Sequence, residues 1–168
     1  MSLTIRPESP SDIATIHALT KSAFLSAPYA AHTEHFIVDA LRDAGALAIS
    51  LVAENDGSVI GHVAVSPITI SGDIPCWYGL GPISVCPEHQ RKGIGSKLMN
   101  SALQQLKDMG AAGCVLAGDP GYYSRFGFVH QSNIVFPDLP SEFFLIVAFS
   151  QPVPQGIAKF HEAFGTKG

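Results

Sequence analysis

Residues 90–96, Gln-Arg-Lys-Gly-Ile-Gly-Ser, put two basic side chains directly before a Gly-x-Gly, where an apolar 3.6-residue period begins. The first turn of a helix leaves backbone N–H groups without intrahelical acceptors, and the helix dipole adds to their positive potential. An anion is the natural partner of such a terminus, and a phosphate fits it best. It comes close only where side chains are small. Gly93 and Gly95 supply that clearance, and Arg91 and Lys92 add charge beside it. The stretch reads as a diphosphate cradle, although a bare Gly-x-Gly also serves in ordinary tight turns. Spacing excludes two better-known cradles. A P-loop needs GxxxxGK followed by Ser or Thr. A dinucleotide fingerprint needs a third glycine, where this chain has Leu98, and the run Gly79-Leu80-Gly81 fails the same test at Ser84.

The run before the cradle, WYGLGPISV (residues 77–85), has the character of a strand but carries Pro82. Proline has no N–H to give to a ladder, so a bulge or an edge strand is the ordinary reading. Next to an anion site it has a second one. A strand interrupted there parts from its neighbour, and the gap exposes unpaired backbone groups. An extended ligand with amide groups could pair with them as an extra strand. A diphosphate followed by a chain of amides describes coenzyme A.

The elements that must position these residues follow from periodicity. Residues 3–7 predict a first strand. A helix follows, capped by Ser9 or Ser11, with Ile13, Ile16, His17, Thr20 and Phe24 on one stripe. Residues 27–35 read as a loop and residues 34–45 as a second helix. Residues 47–54 and 59–70 flank Asp56-Gly57, a hairpin signal. The helix after the cradle runs from about Gly93 to Met109, with Ile94, Leu98, Ala102, Leu106 and Met109 on its apolar side. Residues 113–118 predict a buried strand parallel to its predecessor. Asp119, Pro120 and Gly127 bound a very short helix, and residues 143–149 and 156–164 predict further strands. The order implies one domain over residues 1–168, of the α/β (α+β) class. It is a mixed, mostly antiparallel sheet with helices on both faces and strands splayed at the cradle.

Composition narrows the function classes. Charged residues are 14% of the 168, against roughly a quarter in typical domains, and the net charge is −4. That disfavours nucleic-acid binding, which needs a basic face. It also leaves room for a homodimer interface. Cys76, Cys86 and Cys114 form no CxxC pair and their number is odd, which fits a reducing compartment. No signal peptide or membrane span is evident, so a cytoplasmic protein is expected.

Gln90-Arg91-Lys92-Gly93-Ile94-Gly95 resembles the Gln/Arg-x-x-Gly-x-Gly/Ala signature of the GNAT superfamily of acetyl-CoA-dependent N-acyltransferases. YYSRFGF resembles that superfamily's later Tyr-x-Lys/Arg-x-Gly-Phe, with Tyr123, Arg125, Gly127 and Phe128 in register. Both motifs together look like the YhbS-like group of acetyltransferases. The resemblance implies acetyl transfer from acetyl-CoA to an amine through a ternary complex, without a metal. It implies cofactor contacts from Ile83, Ser84 and Val85, whose backbone amides would hold the thioester oxygen. It implies further contacts from Gln90, Arg91, Lys92, Gly93, Ile94, Gly95 and Ser96. Tyr123 is the expected proton donor to the leaving thiolate, with Tyr122 pointing elsewhere on the helix, to pack or to touch substrate. The commoner asparagine at the start of that helix is replaced here by Asp119-Pro120, so its contacts are not carried over.

The general base is left open. The strand 77–85 has no carboxylate, and His32, Glu34 and His35 lie in the loop and helix start where relatives hold substrate. His32 and His35 have metal-like spacing but no third ligand. The acceptor, a small amine, an amino acid or a protein N-terminus, is expected at a mildly aromatic mouth. The loop 25–36, Trp77 and Tyr78 would form that mouth, without an acidic cluster. The alternative is a non-catalytic acyl-CoA-binding sensor or interaction module.

Overall fold

A computed structural model describes residues 2–27 and 30–167. Six strands form the main sheet: β1 (Leu3–Pro7), β2 (Ile49–Asn55), β3 (Ser58–Pro67), β5 (Trp77–Val85), β6 (Gly113–Ala117) and β8 (Phe144–Ala148). Their order is β1-β2-β3-β5-β6-β8, and every pairing is antiparallel except β5 with β6. Three short strands, β4 (Thr69–Ile70), β7 (Ile134–Val135) and β9 (Gly156–Lys159), make a second sheet. The Asp56-Gly57 hairpin closes as read: Asn55 faces Ser58, and both central residues have positive φ, as a two-residue type I′ turn needs.

Alternation along the strands divides the core. Leu51, Ala53, Val63 and Val65 point to one face, where α3 (Ile94–Asp108) lays down Leu98, Met99, Ala102 and Leu106. Full burial of each such Leu is worth ~1.5–3 kcal/mol, which clamps the first turn of α3 to the sheet. Val52 points the other way and meets Ile16 of α1 (Ile13–Leu25) and Val38 of α2 (Glu34–Asp43). Two expectations are corrected. Met109 lies past the last turn of α3 and is 50% exposed, so it is not part of the apolar stripe. Residues 156–164 are a strand only to Lys159. His161 then accepts a hydrogen bond from the Ala163 N–H at 3.0 Å and starts a 3₁₀ turn over Glu162–Gly165, which packs Ala163 on Ile37 and Leu41 of α2.

His62 of β3 is fully buried on the α1 side. Its Nε2 meets Ser50 Oγ at 2.8 Å, and its Nδ1 has no partner among the described residues. Burial pushes its pKa down from 6.5 to about 4, against the pull of Glu8. The unfolded chain therefore binds the extra proton first, and stability falls as pH drops from 6.5 through 4. The expected loss over that window is ~3 kcal/mol. Denaturant melts between pH 7 and 4 check it: His62→Gln should flatten this part of the profile, and an unchanged slope would assign the loss to other groups.

Candidate active site

The gap beside Pro82 exists, and the register shows how it is made. β5 pairs with β6 only over Trp77, Tyr78 and Gly79. From Leu80 onward β5 keeps β3 alone, while β6 continues beside β8. On the β3 side, Val63 faces Ile83 and Val65 faces Leu80, so Gly81 and Pro82 together oppose Ala64. That two-against-one count is a β-bulge, which bends the strand and suits a residue without an N–H.

The bulge also sets which backbone groups face the gap. The Cys86 N–H donates to the Ile60 carbonyl at 2.8 Å, and the Val85 carbonyl is turned outward to accept from Gln90 Nε2 at 3.0 Å. Antiparallel alternation then points the Ser84 backbone at β3 and the N–H groups of Ile83 and Val85 into the gap. Of the three expected amides, two are available and Ser84's is not. The Ser84 hydroxyl is buried and pairs with Thr20 Oγ1 at 3.3 Å.

A cavity of about 440 Å³ opens here. Its wall joins the end of β5 (Ile83, Ser84, Val85) to the start of α3 (Gly93, Ile94, Gly95, Ser96), with Arg91 and Arg125 at the side. Gly93 is the N-cap of α3 at φ +82°, a left-handed conformation that favours glycine. The first backbone bond of α3 is Lys97 N–H to the Gly93 carbonyl, so the N–H groups before it have no intrahelical acceptor. Ile94 is 1% exposed and contributes backbone only, its side chain being in the core. Gln90 lines the wall, but its side chain is committed to Val85. Lys92 is exposed and is not part of the wall. His89, not singled out in the sequence, lines the wall and leaves Nδ1 unpartnered among the described residues.

Asp119 caps the short helix α4 (Pro120–Tyr123) through Oδ1, which accepts from the Gly121 N–H at 2.9 Å, and Gly127 ends the following turn at φ +94°. Both tyrosines of α4 line the cavity, packed edge to face at 4.9 Å between ring centres. This corrects the expectation for Tyr122. Its hydroxyl reaches over the start of α3, and Arg125 covers its ring at 4.5 Å from the ring centre. Tyr123 is half-buried, and burial raises its pKa above the ordinary phenol value, with Tyr122 and Asp119 adding to the shift.

A second cavity, of about 670 Å³, lies across the gap. Leu80 to Ile83 and Leu116-Ala117 form its floor, where β5 and β6 have parted. Ile83 and Tyr123 line both cavities. Its other walls come from α1, α2 and the C-terminal third: Phe24, Glu34, Phe136, Phe160 and Phe164 among them. The expected mouth is corrected accordingly. Trp77 is buried in the second core beside Val115, and Tyr78 packs against the main core. His35 is buried against His17 and Phe36. Of the expected substrate loop, Pro28 and Tyr29 lie outside the described residues. The carboxylates Glu34, Asp138 and Glu162 line this one cavity, although among the described residues no three such side chains converge as a metal site would need. Nothing in local spacing could have placed them on one wall, because they come from three distant segments.

Neither Cys86 nor Cys114, which lie outside the lining of both cavities, is primed for attack. Burial raises the thiol pKa of Cys86 and, further, of Cys114. Among the described residues no three His, Cys, Asp or Glu side chains converge as a metal site, and no helix is long and apolar enough to cross a membrane.

The chain is similar to known proteins over nearly its whole length. Residues 4–130 match the family model described as an acetyltransferase (GNAT) domain. The uncharacterized N-acetyltransferase YhbS of Escherichia coli K12 is 34% identical over 96% of this chain and 98% of its own length. The crystal structure of that bacterium's YhbS in complex with CoA superposes with a TM-score of 0.89, covering 99% of this chain and 93% of the other at 32% identity. A GNAT acetyltransferase of Brucella melitensis, solved in complex with acetyl-CoA, is 48% identical with a TM-score of 0.87 over 97% of this chain and 98% of its own. Splayed strands, a glycine-started helix and a full-length match to these relatives have one reading: the chain belongs to the GNAT family of acetyltransferases.

Proposed function

We propose that the chain binds acetyl-CoA in the cavity at the start of α3 and transfers the acetyl group to a primary amine held in the cavity across the gap. The observation that carries this reading is that the two cavities meet at Ile83 and Tyr123. The residues present fit the cosubstrate. The open N–H groups of α3, with Arg91 and Arg125, suit a diphosphate. The unpaired edge of β5 suits a chain of amides. The relatives solved in complex with CoA and acetyl-CoA support acetyl-CoA as the ligand.

When bound, acetyl-CoA supplies an activated thioester carbonyl. The Ile83 N–H, at the junction, stabilises negative charge on that carbonyl oxygen as the amine attacks. The C–N bond forms, the C–S bond breaks, and the Tyr123 hydroxyl gives its proton to the sulfur. Its raised pKa keeps the phenol protonated and able to donate at neutral pH. An alkylammonium sheds two protons on acetylation. One passes to solvent and the other restores Tyr123, so one proton is released per turnover.

Binding is checked by thermal or denaturant melts. Acetyl-CoA at a hundred times its Kd should stabilise the fold by ~2.7 kcal/mol, with much smaller effects from NAD and ATP. Free-thiol release over an amine panel then separates a transferase from a sensor. No stabilisation by acetyl-CoA at any concentration would overturn the reading, and binding without thiol release from any amine would leave only a sensor.

A further inference from the structure

The acceptor cavity has a chemistry of its own. Phe24, Phe136, Phe160 and Phe164 stand in its wall, with Phe160 edge-on to Phe136 at 5.0 Å and tilted on Phe164 at 5.1 Å between ring centres. Glu34, the first residue of α2, is the carboxylate set into this wall. One of its oxygens, Oε2, accepts from the Ala31 N–H at 3.0 Å, which fixes the group. The other, Oε1, is buried and has no partner among the described residues. A carboxylate oxygen held out of water accepts hydrogen bonds only, and a cationic donor is its strongest match. Around the mouth, the exposed carboxylates of Asp138 and Glu162 outnumber the one ammonium of Lys159, which favours entry of a cation.

We infer that this cavity takes a monoamine with a ring-sized apolar body, its ammonium received by the Glu34 carboxylate and its body by the phenylalanines. The volume, about 670 Å³, is ample for such a ligand. Aromatic rings in the same lining also favour an ammonium. A polyamine would leave its inner charges against apolar walls. An amino acid would bring a carboxylate beside that of Glu34, with the exposed Lys159 as the one lysine or arginine in the lining among the described residues.

The inference rests on the acetyl-transfer reading for its consequence in catalysis, and its binding test is independent of that reading. Titration calorimetry on the full chain, with and without saturating CoA, uses 2-phenylethylamine as probe. The expected order is 2-phenylethylamine at least ~10-fold tighter than 2-phenylethanol, spermidine or phenylalanine. Glu34→Gln keeps an acceptor for Ala31 and should weaken 2-phenylethylamine by ~10–100-fold. It should leave 2-phenylethanol and acetyl-CoA affinity unchanged, which shows that the fold survives. In turnover, the loss should fall on the KM for the amine. No saturable binding of 2-phenylethylamine, equal binding of spermidine or phenylalanine, or no effect of Glu34→Gln would each overturn the inference. If acetyl-CoA binds and 2-phenylethylamine does not, only this inference falls. If 2-phenylethylamine binds through Glu34 and acetyl-CoA does not bind, the transferase reading falls instead.

Discussion

Tyr123→Phe is expected to lower kcat by ~10²–10⁴-fold, the range of a positioned proton donor, and to leave acetyl-CoA affinity nearly unchanged. The ring remains, so its edge contacts with Tyr122 and Phe128 remain too. Only the hydroxyl is removed, and its proton is needed only as the C–S bond breaks, so the loss belongs to the transition state. Tyr122→Phe is the matched control. Tyr122 lines only the cavity at the start of α3, whereas Tyr123 lines both cavities, so Tyr122→Phe should cost less. Gly118→Ala tests the same ring from behind. A Cβ at Gly118 would fall 2.4 Å from Tyr123 Cε2, so the ring must move. Displacement of about 1 Å is worth up to ~10²-fold in rate. Steady-state rates with any working amine decide the matter. Near-native turnover in Tyr123→Phe would leave solvent as the proton source, and a larger loss in Tyr122→Phe would move the role to that residue.

Gly95→Val is expected to weaken acetyl-CoA by about 10²-fold or more, through loss of charge-assisted bonds worth ~1.5–3 kcal/mol each to the backbone of α3. The unliganded protein should accept the change. A Cβ at this position meets only the Tyr122 hydroxyl at 3.6 Å and Val85 Cγ2 at 4.0 Å, both ordinary contacts. Valine also costs a helix no more than glycine does. The branched side chain would instead occupy the space through which a diphosphate reaches the N–H groups. Gly93→Val is the less clean experiment, because φ +82° at the N-cap would strain any branched residue. Calorimetric affinity and a parallel melt of the free protein separate binding from folding. Unaltered affinity in Gly95→Val would place the cradle elsewhere.

Local chemistry in the sequence was sufficient wherever a feature depends on neighbours in the chain. The Asp56-Gly57 turn, the Asp119 cap, the glycine start of α3 and the departure of β5 from its neighbour each follow from a few adjacent residues. Backbone conformation and hydrogen-bond capacity are set at that range. The two family motifs are local in the same way, and with them the fold class, the parallel β5–β6 pair and the membership were all readable.

What only the tertiary structure decided is where side chains from separate segments converge. Strand alternation relative to β3 chose Ile83 and Val85 over Ser84 as the open amides. Packing sent Trp77 and His35 inward, and brought Phe136, Phe160, Phe164 and Glu34 to one cavity across the gap. Ile83 and Tyr123 are 40 positions apart in sequence, yet they stand at one junction because β5 and β6 separate beneath α4. Such contacts depend on the sum of many weak burial energies over the whole chain, which no short stretch of residues carries.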